Sequence, residues 1–367
     1  MMAREADCQN PIPSRPPRRV LLVYCHPDLA IEMAPACAGA IAAFGLRYAL
    51  LDAPLGVGGA LALDSALHRF QGCVLGLALG DAIGAPFEGG VLERLLWRLI
   101  GRTRSGEMRW TDDTQMTLDV IESLVARGGV DSDDLAARFA ASYQWSRGYG
   151  PATAKVLRRI SRGQRWQEAN TSVYRQGSFG NGAAMRAPVL GLFYASRPGE
   201  LVAAARASAI VTHAHPQGIE GAVLIASATA AATRGESTAE ILACASRFCE
   251  AGQMAARLAT AQRWLASSSD VNPAEVARHL GNGIAAVDSC VTALYLALRF
   301  RDAGFIEMQQ RVAKMGGDAD TIGAMAGAIW GAANGIQAMP AELLQKLEER
   351  GRLLSLATLL HQRATEV

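Results

Sequence analysis

The sequence predicts an all-α protein, and three observations lead there. Alanine and glycine abound while aromatics make up only 6% of the 367 residues, a composition suited to closely packed helices rather than a β-sandwich. From Ser65 onward apolar residues recur at helical spacing, as at Leu67, Phe70, Val74 and Leu75. Glycines fall every fourth residue in two places: Gly72, Gly76, Gly80 and Gly84, then Gly323, Gly327, Gly331 and Gly335. A glycine inside a helix costs about 1 kcal/mol relative to alanine. Four in register need an offsetting gain, and close approach of another backbone supplies one. The two stripes are therefore expected in one packed core, in direct contact.

Residues 1–65 read as an extension. Pro11, Pro13, Pro16 and Pro17, with Arg15, Arg18 and Arg19 between them, predict a disordered basic arm over 1–19. Val20–Tyr24 reads as a strand, Pro35–Phe44 as a short helix and Tyr48–Leu51 as a second strand, an α/β-like fragment too small to bury a core alone. Gly56-Val57-Gly58-Gly59 lacks the third glycine of a dinucleotide loop and reads as a linker.

The main domain is expected over 66–367. After Gly84 comes the loop Ala85-Pro86-Phe87-Glu88-Gly89-Gly90. Trp110-Thr111-Asp112-Asp113-Thr114-Gln115 leads into a helix with Met116, Val120, Ile121, Leu124 and Val125 on its apolar side, and Asp112 and Gln115 are spaced as a capping box. A helix over 134–143 is broken at Gly148-Tyr149-Gly150-Pro151 and resumes over 152–160. Residues 176–186 form a glycine-rich turn entering a helix, and Thr212-His213-Ala214-His215-Pro216 separates two more. Helices fill 220–300 apart from a serine-rich loop at 267–272, and 341–361 reads as one amphipathic helix.

Half the residues are hydrophobic, 19% are charged, and the formal net charge is +2, which argues against a polyanion-binding surface and so against a nucleic-acid partner. The seven cysteines are odd in number with no CxxC pair, the pattern of free thiols in a reducing compartment. Val20–Cys25 is too short for a signal-peptide core, and no uninterrupted apolar run nears the roughly 20 residues of a membrane span. A soluble cytoplasmic chain with no membrane partner is expected.

Thr111-Asp112-Asp113 and Asp318-x-Asp320-Thr321 each set two carboxylates and a hydroxyl at a helix entrance. Singly, each is a common helix cap. Adjacent carboxylates repel unless a cation sits between them, and all six side chains are hard oxygen donors of the kind Mg²⁺, Mn²⁺ or Ca²⁺ prefers. Together they suffice for two divalent cations, a recurrent device for activating oxygen nucleophiles. Glu88 is either a solvated loop residue or an acid that orients an attacking water. Gly177, Gly180 and Gly182 either make a tight turn or offer amides to a diphosphate. His213 and His215 are either helix caps or hydrogen-bonding groups for a phosphate or ribose; with no cysteine or third histidine nearby, zinc is not expected.

In order, the motifs Gly76-x-x-x-Gly80-Asp81-Ala82-x-Gly84-x-Pro86-x-Glu88, Trp110–Thr114, Ser178-Phe179-Gly180-Asn181-Gly182-Ala183-Ala184-Met185-Arg186, Thr212-His213-x-His215-Pro216 and Gly316-Gly317-Asp318-x-Asp320-Thr321-Ile322-Gly323 resemble those of the ADP-ribosylglycohydrolase family. The resemblance spans about residues 67–335 and leaves 1–65 uncovered. It implies a single large orthogonal helical bundle holding two divalent cations, Mg²⁺ or Mn²⁺. It carries metal ligation to Thr111, Asp112, Asp113, Asp318, Asp320 and Thr321, and places Glu88 beside the metals; Asp112, Asp113 or Glu88 are the candidate catalytic groups that hold the attacking water. ADP-ribose binding falls to Gly177, Ser178, Phe179, Gly180, Asn181, Gly182, Met185 and His213. Ile284, in Gly281-Asn282-Gly283-Ile284, departs from the aromatic expected there. The implied reaction removes ADP-ribose from a modified protein side chain, arginine first, with serine- or O-acetyl-linked ADP-ribose as alternatives. A further alternative is an immunity-type role in which residues 1–65 dock a cognate ADP-ribosyltransferase.

Overall fold

The computed structural model describes residues 57–249, 252–267 and 270–367; among them no strand forms beyond isolated bridges. The order is α1 (Val57–Gly84), α2 (Val91–Ile100), α3 (Asp112–Arg127), α4 (Ser132–Ser142), α5 (Pro151–Ser161), α6 (Trp166–Ala169), α7 (Pro188–Phe193), α8 (Pro198–Ile210) and α9 (Pro216–Thr233). It continues with α10 (Thr238–Ser246), α11 (Gln253–Ala266), α12 (Pro273–Leu280), α13 (Ala286–Arg299), α14 (Phe305–Met315), α15 (Ala319–Asn334), α16 (Ala341–Leu344) and α17 (Arg350–Glu366). The predicted basic arm, both predicted strands and the short helix at 35–44 lie outside the described residues.

Helices α1, α9 and α15 form the centre. Residues 72–82 of α1, 221–232 of α9 and 319–332 of α15 are buried without a break. By length and mean hydropathy Ser65–Phe87 would suit a membrane span, yet 78% of that window is buried inside the fold. Helices α7, α8, α10 and α13 pack against α9, while α17 covers α1.

The two glycine stripes meet. A Cβ on Gly72 would collide with the carbonyl of Gly331, one on Gly76 with that of Gly327, and one on Gly80 with that of Gly323. The reciprocal collisions occur from the α15 side, so α1 and α15 run antiparallel with backbones in contact. At the ends, Gly84 faces Ala319 and Asp320, and Gly72 also faces Gly335. Gly335 itself ends α15 rather than lying within it, with a φ of 75° that favours glycine.

Four local readings are corrected. The capping box at Asp112 does not form. Thr111 is the N-cap, extended at φ −102°, and its side chain accepts from the Asp113 amide; both aspartates fall in the first helical turn. The helix expected over 341–361 is split between α16 and α17, because the backbone of 346–348 pairs with Met108 through Met108 N to Lys346 O at 2.6 Å and Glu348 N to Met108 O at 3.0 Å. The turn at 176–186 enters a 3-10 turn at Asn181–Ala183, with α7 starting only at Pro188. Val57 to Gly59, read as linker, already belong to α1.

Candidate functional site

A cavity of about 390 Å³ opens where α1, α3 and α15 present their ends to the 176–186 turn. One side is acidic. Asp81, near the end of α1, is fully buried. It accepts from the Thr111 amide at 2.9 Å, the Thr114 amide at 3.1 Å and the Thr114 hydroxyl at 2.6 Å. These bonds hold the entrance of α3 so that Asp112 and Asp113 line the cavity.

The second half comes from the turn into α15. Gly316 and Gly317 adopt φ of 63° and 77°. A Cβ on Gly317 would strike the Asn282 carbonyl, so only glycine lets the chain turn here. The Asp318 amide donates to Asn282 O at 2.9 Å, and Asn181 Nδ2 donates to Asp318 Oδ2. Thr321 Oγ1 donates to Asp113 Oδ1 at 3.3 Å, closing the two halves on each other across the chain. Single carboxylate oxygens of Glu88, Asp318 and Asp320 lie within 4.8 Å of one another.

So much negative charge inside protein is unfavourable. Burial, then repulsion from neighbouring carboxylates, holds Asp112, Asp113 and Asp320 well above the usual carboxylate range. Burial raises Asp318 to about 7 even though Asn181 donates to it, and raises Asp81 to about 6 against the pull of its Thr111 and Thr114 donors. Asp113 Oδ2 is buried with no hydrogen-bond partner. An orphaned carboxylate oxygen among oxygen-only donors and close like charges fits a divalent cation, which would satisfy the lone pairs and relieve the repulsion.

The opposite side is neutral. His213 is 3% exposed, and its ring lines the cavity. Burial, with Arg186 nearby, lowers it to about 3, so the imidazole carries no charge at neutral pH. A Cβ on Gly182 would sit 2.7 Å from His213 Cε1 and 2.9 Å from Nε2, and one on Gly180 would sit 3.4 Å from Nε2. These glycines make room for the ring edge. The amides of Gly177 and Gly180 are used within the turn, by Tyr174 O and Ser178 Oγ. Phe179, Tyr174 and Ile284, at 45%, 48% and 69% exposure, give the mouth an apolar rim. Among the described residues no Lys or Arg lines the cavity.

Glu88, Asp112, Asp113, Ser178, Phe179, Gly180, Asn181, Gly182, Met185, His213, Asp318, Asp320 and Thr321 all line this one cavity. Thr111 and Gly177 stand behind it. Thr111 caps α3, and Gly177, at φ 81°, packs against Ala214 and His215. His215 caps the start of α9, accepting from the Gln217 amide at 3.2 Å, and is not a helix C-terminal cap. Sequence reasoning passed over Asp81, which holds the entrance of α3, and Tyr174, Gly148 and Gly150–Thr153, which line the cavity. Asp81 had a signal: a lone charge inside an otherwise apolar helix face needs dedicated partners.

The profile of the ADP-ribosylglycohydrolase family matches residues 62–366. The chain is 34% identical over 352 residues to a Bos taurus protein named ADP-ribosylhydrolase ARH3, covering 84% of this chain and 96% of that one. It is 30% identical over 291 residues to the ADP-ribosyl-[dinitrogen reductase] glycohydrolase of Rhodospirillum rubrum, covering 76% and 90%. A solved chain titled ADP-ribosylglycohydrolase-related protein complex superposes with a TM-score of 0.60 at 27% identity, over 82% of this chain and 99% of that one.

Proposed function

We infer the reaction from one premise: the chain belongs to the ADP-ribosylglycohydrolase family. The proposed reaction is hydrolysis of the bond between C1 of a ribose of ADP-ribose and a protein side chain, arginine's guanidinium being the linkage. The observation that supports it most is the contact between Asp113 and Thr321, which joins the two acidic halves on one cavity wall.

Asp112, Asp113, Asp318, Asp320 and Thr321, with Thr111 behind them, would hold two divalent cations, Mg²⁺ or Mn²⁺, which would supply Lewis-acid polarisation of oxygen groups and lower the pKa of a water. The chain's own groups do the rest. Asp112, Asp113 and Glu88 orient a water toward C1 and accept its proton. The transition state has oxocarbenium character, as in other glycosidic cleavages, and the carboxylates stabilise the positive ring. The C1–N bond breaks as the water oxygen bonds to C1, and the proton the water gives up ends on the leaving guanidine nitrogen. The apolar enclosure formed by Met185 and Phe179 limits bulk water around the reacting carbon.

The charge balance favours arginine. Five carboxylates on the wall keep a net negative charge even against two divalent cations, and among the described residues no lysine or arginine lines the cavity to compete for it. A second reading, oxygen-linked ADP-ribose on serine or an O-acetyl group, is favoured by the apolar rim of Tyr174, Phe179 and Ile284, which suits a neutral leaving group.

The test is release of ADP-ribose from matched arginine- and serine-linked peptides, followed by mass spectrometry, with and without chelator. Release from the arginine peptide that stops with chelator is the expected result. Release from the serine peptide alone selects the second reading, and release from neither overturns both.

A further inference from the structure

We propose that Arg186 and Thr212 form a relay that fixes His213 as an Nε2–H donor facing the cavity, an inference resting on the ADP-ribose reading of that cavity. Arg186 is wholly buried, its guanidinium stacked 4.7 Å from the Phe139 ring. Its Nη1 donates to Gly182 O at 2.6 Å, and its Nη2 donates to Ser208 O at 2.9 Å and to Thr212 Oγ1 at 3.0 Å. Thr212 Oγ1 lies 2.8 Å from His213 Nδ1.

The direction of that last bond follows from donor bookkeeping. A guanidinium only donates, so Arg186 uses a lone pair of the Thr212 hydroxyl. The hydroxyl's recorded partners are Arg186 Nη2 and His213 Nδ1, and only Nδ1 can accept its hydrogen. The reverse arrangement, Nδ1–H donating to Thr212, would leave a buried hydroxyl hydrogen without an acceptor, a cost of about 1–3 kcal/mol. Nδ1 is therefore the acceptor, and the single proton of the neutral ring sits on Nε2. That nitrogen is the one Gly180 and Gly182 leave uncovered.

The sign of this choice matters because, among the described residues, no lysine or arginine lines the cavity. With the proton on Nε2, His213 offers an N–H to a diphosphate or ribose oxygen. With the other tautomer it would aim a lone pair at an anion. Arg186 also holds Gly182 through its carbonyl, so one cation positions both the ring and the glycine that makes room for it. Arg186 and Thr212 are positioning residues; neither lines the cavity.

The experiment uses the full-length protein labelled with ¹⁵N-histidine and two-bond ¹H–¹⁵N correlation, the His213 signals assigned by their loss in His213→Gln. The expected pattern is protonated Nε2 and bare Nδ1 in the wild type and in Thr212→Ser. Thr212→Val should lose the fixed pattern and bind ADP-ribose roughly tenfold more weakly by calorimetry, while Thr212→Ser binds within about twofold of wild type. Protonated Nδ1 in the wild type overturns the proposal, as does unchanged ADP-ribose affinity in a folded Thr212→Val. If Thr212→Val does not fold, the wild-type and Thr212→Ser spectra still decide. A wild type with protonated Nε2 that neither binds nor hydrolyses ADP-ribose upholds the relay and overturns the functional reading instead.

Discussion

The two sides of the cavity are both sunk in protein, and burial drives their titrating groups apart. On the acidic side Asp112, Asp113, Asp318 and Asp320 are pushed up toward neutral acids and one oxygen of Asp113 has no partner. On the other side His213 is pushed down to about 3, and its Nδ1 has a partner in Thr212. The acidic wall thus keeps a carboxylate oxygen without a partner, while the inner nitrogen of the His213 ring is occupied. A wall of like charges with spare lone pairs waits for something positive; a neutral ring with its inner nitrogen occupied is ready to bind as it stands.

The sharpest way to break this contrast is to remove charge from the acidic wall. Asp113→Ala or Asp320→Ala should lower kcat on the order of 10²–10³-fold, whereas His213→Gln should act mainly on KM. Steady-state kinetics on an ADP-ribosylated peptide separates the two. Equal kcat losses from both walls would sink the distinction.

Adding Mn²⁺ or Mg²⁺ to chelator-treated protein should raise Tm by several degrees, since ligand at a hundredfold excess over Kd stabilises by about 2.7 kcal/mol. The rise should vanish in Asp320→Ala and persist in His213→Gln. Differential scanning calorimetry reads it.

The pH response should also divide the walls. Asp318, raised from 3.8 to about 7, binds more protons folded than unfolded between those values, so its contribution to stability falls as pH rises from about 4 to about 7. His213, lowered from 6.5 to about 3, works the other way, its contribution falling as pH drops through that window. Because Asp81, Asp112, Asp113 and Asp320 are raised as well and together outweigh His213, metal-free protein should lose Tm as pH rises from 5 to 7, with a shallower slope in Asp318→Asn. An unchanged slope would show that Asp318 does not titrate there.

The smallest effect is expected from Gly182→Ala. Its methyl would press on the His213 ring, so ADP-ribose affinity should fall several-fold while the Tm rise with metal stays as in wild type.

Much of this was legible in the chain because it follows from short-range chemistry. Two carboxylates and a hydroxyl at a helix entrance announce themselves, and four-residue glycine spacing announces backbone contact. Less legible was anything decided by a distant partner. Asp112 matched a capping box locally, yet Asp81, some 30 positions earlier, grips the Thr111 amide and hands the cap to Thr111. Residues 341–361 carry helical spacing, yet pairing with Met108 pulls the chain out of the helix. The amides of Gly177 and Gly180 looked free until Tyr174 and Ser178 were seen to use them. Spacing reports which groups are offered, and only the tertiary fold reports which are already taken.

The antiparallel glycine contact also works as a measuring rule for the site. It runs from Gly72 beside Gly331 to Gly84 beside Ala319 and Asp320, so Glu88, just past its end, is delivered to Asp318 and Asp320. One residue inserted between Gly76 and Gly80 would turn everything beyond it by about 100° and advance it by about 1.5 Å, carrying Asp81 and Glu88 away from their counterparts. The interior of α1 should therefore tolerate no change of length, whereas rim positions such as Ile284 are free to vary: reach is set in the core, and the choice of substrate is left to the surface.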